Sequence, residues 1–328
     1  MLESEPPTAQ ASHPRLAALI ERAHEHAAAN GAARVGIVYP GDALALDAAA
    51  RMLDAGIATP VLIGPRDLIA RAAEAAGVDL RRFELIETAD VPAEAALRAT
   101  TLARSGDLLA LMKGSLHTDE LMSAIVNKAT GLRGNTRISH VFLFDLPRYP
   151  KLLALADCVV NIAPDLKTKR DIVTNAVGLL QTLGVAQPKV GIVAAVEAVN
   201  PAIPATLDAR ALVELARAGE WPGAIVDGPF GFDNAISAEA ARIKKIASPV
   251  PGDADLLLMP DLNAGNMLYK SFNYIGGGDC AGLVLGAMVP VVLTSRADSL
   301  QSRIASVALA VLASAPPNAT RTIRAPGR

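Results

Sequence analysis

Along the chain, short aliphatic and β-branched runs alternate with longer Ala-rich stretches whose apolar positions recur at helical spacing. The runs at 34–39, 60–63, 107–112, 138–144, 158–162, 190–193, 224–226, 255–259, 282–285 and 289–293 predict strands. Most are continuously apolar, the pattern of parallel strands covered on both faces. The stretches at 15–30, 42–54, 93–105, 118–129, 169–183, 209–218, 235–246, 264–272 and 299–313 predict helices. Such alternation makes βαβ units and a mostly parallel sheet. No solenoid-length repeat or low-complexity linker breaks it. Residues up to about 11, and 315–328 with Pro316-Pro317, read as loose tails. The 328 residues suggest two domains at roughly 150 residues each. The expected fold class is α/β: two α/β domains with mostly parallel sheets and a cleft between them as the default ligand site.

Composition narrows the function. Hydrophobic residues are 51% and charged residues 20%, so the chain is globular. Aromatics are 3%, which leaves few platforms for stacking single-stranded nucleic acid. Lys plus Arg is 31 against 33 Asp plus Glu, a net charge of −2. That excludes a strong overall positive field for nucleic acid or an anionic membrane, and leaves room for a local anion site. Cys158 and Cys280 are too few for a disulfide framework or a Cys-rich zinc module, and suit a reducing compartment. The acidic, Pro-rich N-terminus lacks the features of a secretory signal. The longest apolar stretch, 281–293, is shorter than a membrane span and contains Pro290. A soluble cytoplasmic protein is expected.

Four segments place polar groups where a strand empties into a helix, the usual ligand edge of a parallel sheet. In Lys113-Gly114-Ser115-Leu116-His117-Thr118, helix-start N–H groups favour an anion, or Gly114 makes a turn before a Thr118 N-cap. In Pro260-Asp261-Leu262-Asn263-Ala264-Gly265-Asn266, the polar groups exceed what a cap requires, and Gly265 permits a close approach by backbone or ligand. In Thr294-Ser295-Arg296-Ala297-Asp298-Ser299, Arg296 offers bidentate donors for phosphate or an oxyanion beside two hydroxyls. Asp298 or Ser299 equally serves as the following N-cap. In Asp227-Gly228-Pro229-Phe230-Gly231-Phe232-Asp233-Asn234, turn and capping roles for Asp233 or Asn234 are the stronger reading. Gly276-Gly277-Gly278 matches neither a dinucleotide fingerprint nor a P-loop. The five histidines have no metal-ligand spacing with the cysteines, and no Gly-x-Ser-x-Gly elbow occurs.

Taken in order, these segments resemble the phosphate acetyltransferase/phosphate butyryltransferase family from about residue 35 to 313. The resemblance rests on Pro260–Asn266 with Tyr269-Lys270, and on Leu293–Ser299. Met112-Lys113-Gly114, Ser139-His140-Val141, Asp227-Gly228-Pro229 and Asp233-Asn234-Ala235 support it. The Ser-Arg-Ala-Asp-Ser form and Gly131-Leu132-Arg133 look more like the butyryltransferase branch. The resemblance implies an isocitrate/isopropylmalate dehydrogenase-like architecture. Its first domain would be 1–131 plus 284–328 and its second 132–283. It implies a homodimer or higher homo-oligomer, coenzyme A as a substrate, no bound cofactor and no metal. The implied reaction is reversible: acyl-CoA and inorganic phosphate give acyl phosphate and CoA.

That chemistry has physical requirements. In the direction that consumes acyl phosphate, a thiol of pKa about 8.5 must lose its proton and attack a carbonyl. The tetrahedral oxyanion and the leaving phosphate need donors and cations. By resemblance, Ser295 and Arg296 serve the carbonyl and phosphate; Asp298, a nearby acid with a competing helix-cap role, joins them as a candidate catalytic residue, and the identity of the base stays open. Lys113, Gly114, Ser115 and Arg133 bind substrate, while Asp261, Asn263 and Asn266 orient it. One departure stands out: the acetate-specific branch has an Asp as base where Ser302 stands here. Three alternatives remain open. One is a metal- and NAD-dependent dehydrogenase on the same fold. Another is an acyl phosphate synthase for lipid assembly. The third is a non-catalytic protein that binds CoA or acyl phosphate.

Overall fold

The computed structural model describes residues 13–293, 295 and 298–314. The chain begins with α1 (Pro14–Asn30), β1 (Ala33–Val38), α2 (Ala43–Asp54), β2 (Ala58–Gly64), α3 (Arg66–Ala76) and β3 (Glu84–Glu87). It continues with α4 (Pro92–Arg104), β4 (Ala110–Lys113), α5 (Thr118–Val126), β5 (Ser139–Asp145), β6 (Leu153–Ala156) and α6 (Leu166–Thr182). Then come β7 (Lys189–Val193), α7 (Pro204–Arg217), β8 (Ile225–Phe230), α8 (Phe232–Ile236), α9 (Ala238–Ile243) and β9 (Leu256–Leu258). The described part closes with α10 (Leu262–Tyr274), β10 (Asp279–Leu285), β11 (Val291–Val292) and α11 (Leu300–Ala313). Local signals set many helix starts. Asp42, Asp165, Asp261 and Ser299 each accept a first-turn amide through the side chain, and Pro14, Pro92 and Pro204 occupy first-turn positions.

The strands form one 11-stranded sheet in the order β3-β2-β1-β4-β11-β10-β5-β6-β9-β7-β8. The expected sheets are therefore continuous with one another. Pairing is parallel except at β10–β11, β10–β5 and β5–β6. Those antiparallel steps reverse the direction of β1, β4 and β11 relative to β6, β9 and β7. The carboxyl ends of the first group, where Val38 pairs with Lys113 and Met112 with Val292, lie on one edge of the sheet. Those of the second, where Ala156 and Ile192 flank Leu258, lie on the other.

One face carries α1, α6 and α11 over an aliphatic core that includes Leu16, Ile37, Val173, Leu256 and Leu309. The other face has two cores. One lies under α4 and α5. The second gathers Phe144, Leu155 and Leu257 with Phe272 of α10. α11 is buried from Ser302 to Leu312.

The structure corrects three local expectations. Residues 158–162 are not a strand: the Asp157 carboxylate accepts the Val159 and Val160 amides at 2.9 and 3.0 Å, which bends the backbone away from a ladder. The strand is the preceding Leu153–Ala156. The expected helix at 235–246 is split into α8 and α9 at Ser237, which is extended and caps Ala240. The N-cap of α5 is His117 rather than Thr118, with Glu120 accepting the His117 amide at 2.8 Å.

Candidate active site

At the edge formed by β1, β4 and β11, the chain leaves β4 through Lys113-Gly114-Ser115. Gly114 packs against the end of β1, and a Cβ there would lie 2.6 Å from the Val38 and Tyr39 carbonyl oxygens. Those oxygens accept the amides of Gly114 and Ser115 at 2.9 and 2.8 Å. Glycine is thus required by a close backbone approach. Ser115 donates to Asp42 at 2.7 Å and accepts from the Gly41 amide at 3.0 Å, which ties this turn to the start of α2. Lys113 folds over the turn, and Nζ donates to the carbonyls of Gly114 and Leu116 at 3.2 and 3.1 Å. A cleft of about 390 Å³ opens here, lined by Asp42, Lys113, Ser115, His117, Ser295 and Arg303 among others.

Ser295 follows β11 on the same edge. Its amide donates to the Asp298 carboxylate at 2.6 Å, and its carbonyl accepts from the Asp298 amide at 3.2 Å. The turn is therefore closed on itself. Burial pushes the Asp298 carboxyl above the ordinary aspartate value; Asp279 reinforces this, while the Ser295 amide, Arg303 and Lys113 oppose it. A second cavity of about 260 Å³ lies beyond the turn and shares Ser295 with the first. Tyr269, Asn273, Asp279, Asp298 and Ser302 are among its lining residues. Burial, followed by Asp298, raises the Tyr269 hydroxyl pKa.

Lys113, Gly114, Ser115 and Ser295 thus meet at one cleft, with Asp298 beside it. Thr294 and Arg296 lie outside the described residues. Asp261, Asn263 and Asn266 stand elsewhere, at the start of α10. Asp261 accepts the Ala264 amide at 3.0 Å, Asn263 is exposed, and Asn266 donates to the Cys158 carbonyl at 3.3 Å. The close approach at Gly265 is made by backbone: a Cβ there would lie 2.6 Å from the Asp157 oxygen. α10 starts at the far edge of the sheet, and its 13 residues span about 20 Å. Only its later part, with Tyr269 and Asn273, reaches the Ser295 turn. Arg133 is exposed and bridges to Ala287 through its backbone. Asp227 accepts its neighbour's amide, while Asp233 and Asn234 lie inside α8, where Asn234 donates to Glu197. Ser302 is buried and donates its hydroxyl proton to the Cys280 carbonyl. That bond opposes a role for Ser302 as a base. Among the described residues, no group of three or more His, Cys, Asp or Glu side chains converges to hold a metal ion.

Two lining residues escape a reading by motif. Asp42 follows the first strand in the same strand–turn–helix pattern as Lys113. Arg303 is the one charged residue of α11, an otherwise uncharged and largely apolar helix. That isolation is its signal.

A cationic, hydroxyl-rich cleft at parallel strand ends, with a carboxylate beside it, is equipment for moving a group to or from an anion. Comparison makes the class specific. A sequence model for phosphate acetyl/butaryl transferase matches residues 90–311. A phosphate acetyltransferase of Rhizobium meliloti is 48% identical over 278 residues, 84% of this chain and 87% of that protein. A phosphate butyryltransferase of Clostridium acetobutylicum is 38% identical over 279 residues, 85% of this chain and 92% of that one. The crystal structure of a branched-chain phosphotransacylase from Enterococcus faecalis superposes with a TM-score of 0.75 at 30% identity, covering 86% and 99% of the two chains. The chain belongs to the phosphate acetyl/butyryl transferase family and is an acyltransferase. Both branches are represented among its relatives. Overall identity is higher to this acetyltransferase than to this butyryltransferase, although the Ser-Arg-Ala-Asp-Ser form leans toward the latter.

Proposed function

We propose that the chain transfers a short acyl group, acetyl, propionyl or butyryl, reversibly between coenzyme A and inorganic phosphate within a ternary complex. The observation that carries this reading is the meeting of Lys113, Ser115 and Ser295 at one cleft at the strand ends, with Asp298 beside it, in a chain of this family. When acyl phosphate is consumed, Asp298 takes the CoA thiol proton and the thiolate attacks the carbonyl. Ser295 and Arg296 stabilise the tetrahedral oxyanion, and the C–O bond to phosphate breaks. Phosphate then leaves into the cleft that Lys113 and the Gly114–Ser115 turn border. The reverse direction returns the proton to the departing thiolate. The upward shift of Asp298 suits a proton acceptor better than an ordinary surface carboxylate. Asp261, Asn263, Asn266 and Arg133 contact substrate away from the reacting atoms, since the start of α10 stands off from the Ser295 turn.

The same proposal has two lobes, 1–131 with 284–328 and 132–283, a homodimer or higher homo-oligomer, and chemistry without metal or bound cofactor. It places the enzyme in the cytoplasm, a reducing setting that fits the free, buried Cys158 and Cys280. Among the described residues, no helix is long and apolar enough to cross a membrane. The test is release of free thiol from acetyl-, propionyl- and butyryl-CoA by chelator-treated protein, with and without phosphate. Release should require phosphate and fall by orders of magnitude in Arg296→Ala. Phosphate-independent release, or a folded Arg296→Ala variant of normal rate, would overturn the assignment.

A further inference from the structure

Arg303 is a charged side chain in the first turns of a buried helix, with 6% of its surface exposed. Its Nη2 donates to the Ser295 carbonyl at 2.6 Å, and its Nε reaches toward the Asp298 carbonyl at 3.4 Å. These two carbonyls bracket the turn that carries Ser295 and Asp298. Neutral carbonyls satisfy donors but do not neutralise charge. Among the described residues, no carboxylate oxygen lies within ion-pair distance of the guanidinium. Every other arginine or lysine this deeply buried there, namely Lys169, has one: it pairs with Asp208 at 2.6 Å. A buried cation without a contact ion pair is costly, and the through-space attraction between Arg303 and the Asp298 carboxylate offsets only part of that cost. Arg303 also lines the cleft on the side shared with Lys113 and Ser115. A guanidinium carries five N–H donors, more than the two carbonyls use.

We infer that Arg303 is a second arginine of this site: it latches the Ser295–Asp298 turn through two carbonyls and turns its remaining donors toward the phosphate group in the cleft. The substrate anion then supplies the direct ion-pair partner that Arg303 lacks, beyond the through-space pull of the Asp298 carboxylate. This inference rests on the proposed acyl transfer and adds its phosphate-binding cation. It also accounts for a charge in the midst of α11, where an aliphatic side chain would pack without desolvation cost.

The experiment compares wild type, Arg303→Gln and Arg303→Lys in phosphate-dependent thiol release. It also measures the rise in melting temperature that inorganic phosphate produces in each. Arg303→Gln keeps a donor for the turn and removes the charge. Its KM for phosphate should rise roughly tenfold to a hundredfold, the loss of one or two charge-assisted hydrogen bonds. Its KM for acyl-CoA should stay within about twofold, because the hydrogen bonds removed are those to phosphate. The phosphate-induced thermal shift should largely vanish. Arg303→Lys restores the charge without the planar fork, so the phosphate KM should recover in part while turnover stays low. A folded Arg303→Gln variant with an unchanged phosphate KM and thermal shift would overturn the inference. So would equal losses for phosphate and acyl-CoA in both variants, which mark a structural role alone. Wild type without phosphate-dependent release would instead sink the underlying acyl-transfer reading, which keeps the two failures apart.

Discussion

A methyl group at position 114 has no room. In Gly114→Ala the new carbon would sit 2.6 Å from two carbonyl oxygens, of Val38 and Tyr39. An unstrained carbon–oxygen contact lies near 3.3–3.6 Å, so the turn must retreat by roughly 0.7–1 Å. The obstruction is backbone at the end of β1 and has no rotamer to change. The same oxygens hold the Gly114 and Ser115 amides, so retreat stretches both hydrogen bonds. Overpacking costs about 1–3 kcal/mol, and each weakened bond adds up to about 1 kcal/mol, for a total of about 1–5 kcal/mol. The displaced turn carries Lys113 and Ser115 with it. A shift near 1 Å in a positioning element lowers turnover about a hundredfold. Urea unfolding gives the first quantity, and thiol release below the variant's melting range gives the second. A variant within about 0.5 kcal/mol and twofold of wild type would refute the idea that close backbone approach fixes this turn, since surface changes alone stay inside that range.

Two further outcomes follow from the electrostatics. Asp298→Asn keeps an oxygen for the Ser295 amide and removes the proton acceptor, so kcat should fall about 10²- to 10⁴-fold. The acid limb of the wild-type kcat/KM profile should lie above the ordinary aspartate value, because burial raises Asp298; a limb at or below that value would contradict the assignment. His140 is fully buried, and desolvation lowers its pKa to about 4, against the pull of nearby Asp157. The unfolded chain takes up this proton near pH 6.5 and the native protein only near 4. Its contribution is therefore complete above pH 6.5 and is lost as pH falls toward 4. His140→Leu should flatten the stability curve across that window, and parallel curves for the two proteins would contradict the account.

The order of the elements is legible because most parallel strands here are covered on both faces and show as plain apolar runs. β3, at the sheet edge with its two glutamates exposed and only its middle pair half-buried, presents no such run. α3 is also absent from the predicted helices, although its Ala-rich pattern buries Ile69, Ala72 and Ala73 at helical spacing. At 158–162 the apolar run misleads, because the decisive group is a side chain one residue earlier, the Asp157 carboxylate. The Lys113 and Ser295 turns are visible as strand-to-helix junctions. That α10 separates Asn263 and Asn266 from the Ser295 turn is not visible, since it depends on three antiparallel steps reversing half the sheet. Arg303 belongs to a helix that reads as core, and its reach back over eight residues to Ser295 is a matter of tertiary placement.

The most direct test of the central claim is product identification. Phosphorus NMR of the protein with butyryl-CoA or acetyl-CoA and inorganic phosphate follows the phosphate and its acyl ester in one sample, while thiol release is counted in parallel. The account predicts one acyl phosphate for each thiol, and re-formation of acyl-CoA when acyl phosphate and CoA are supplied. Thiol released with free carboxylic acid and no acyl phosphate would show that water rather than phosphate is the acceptor, and would contradict it.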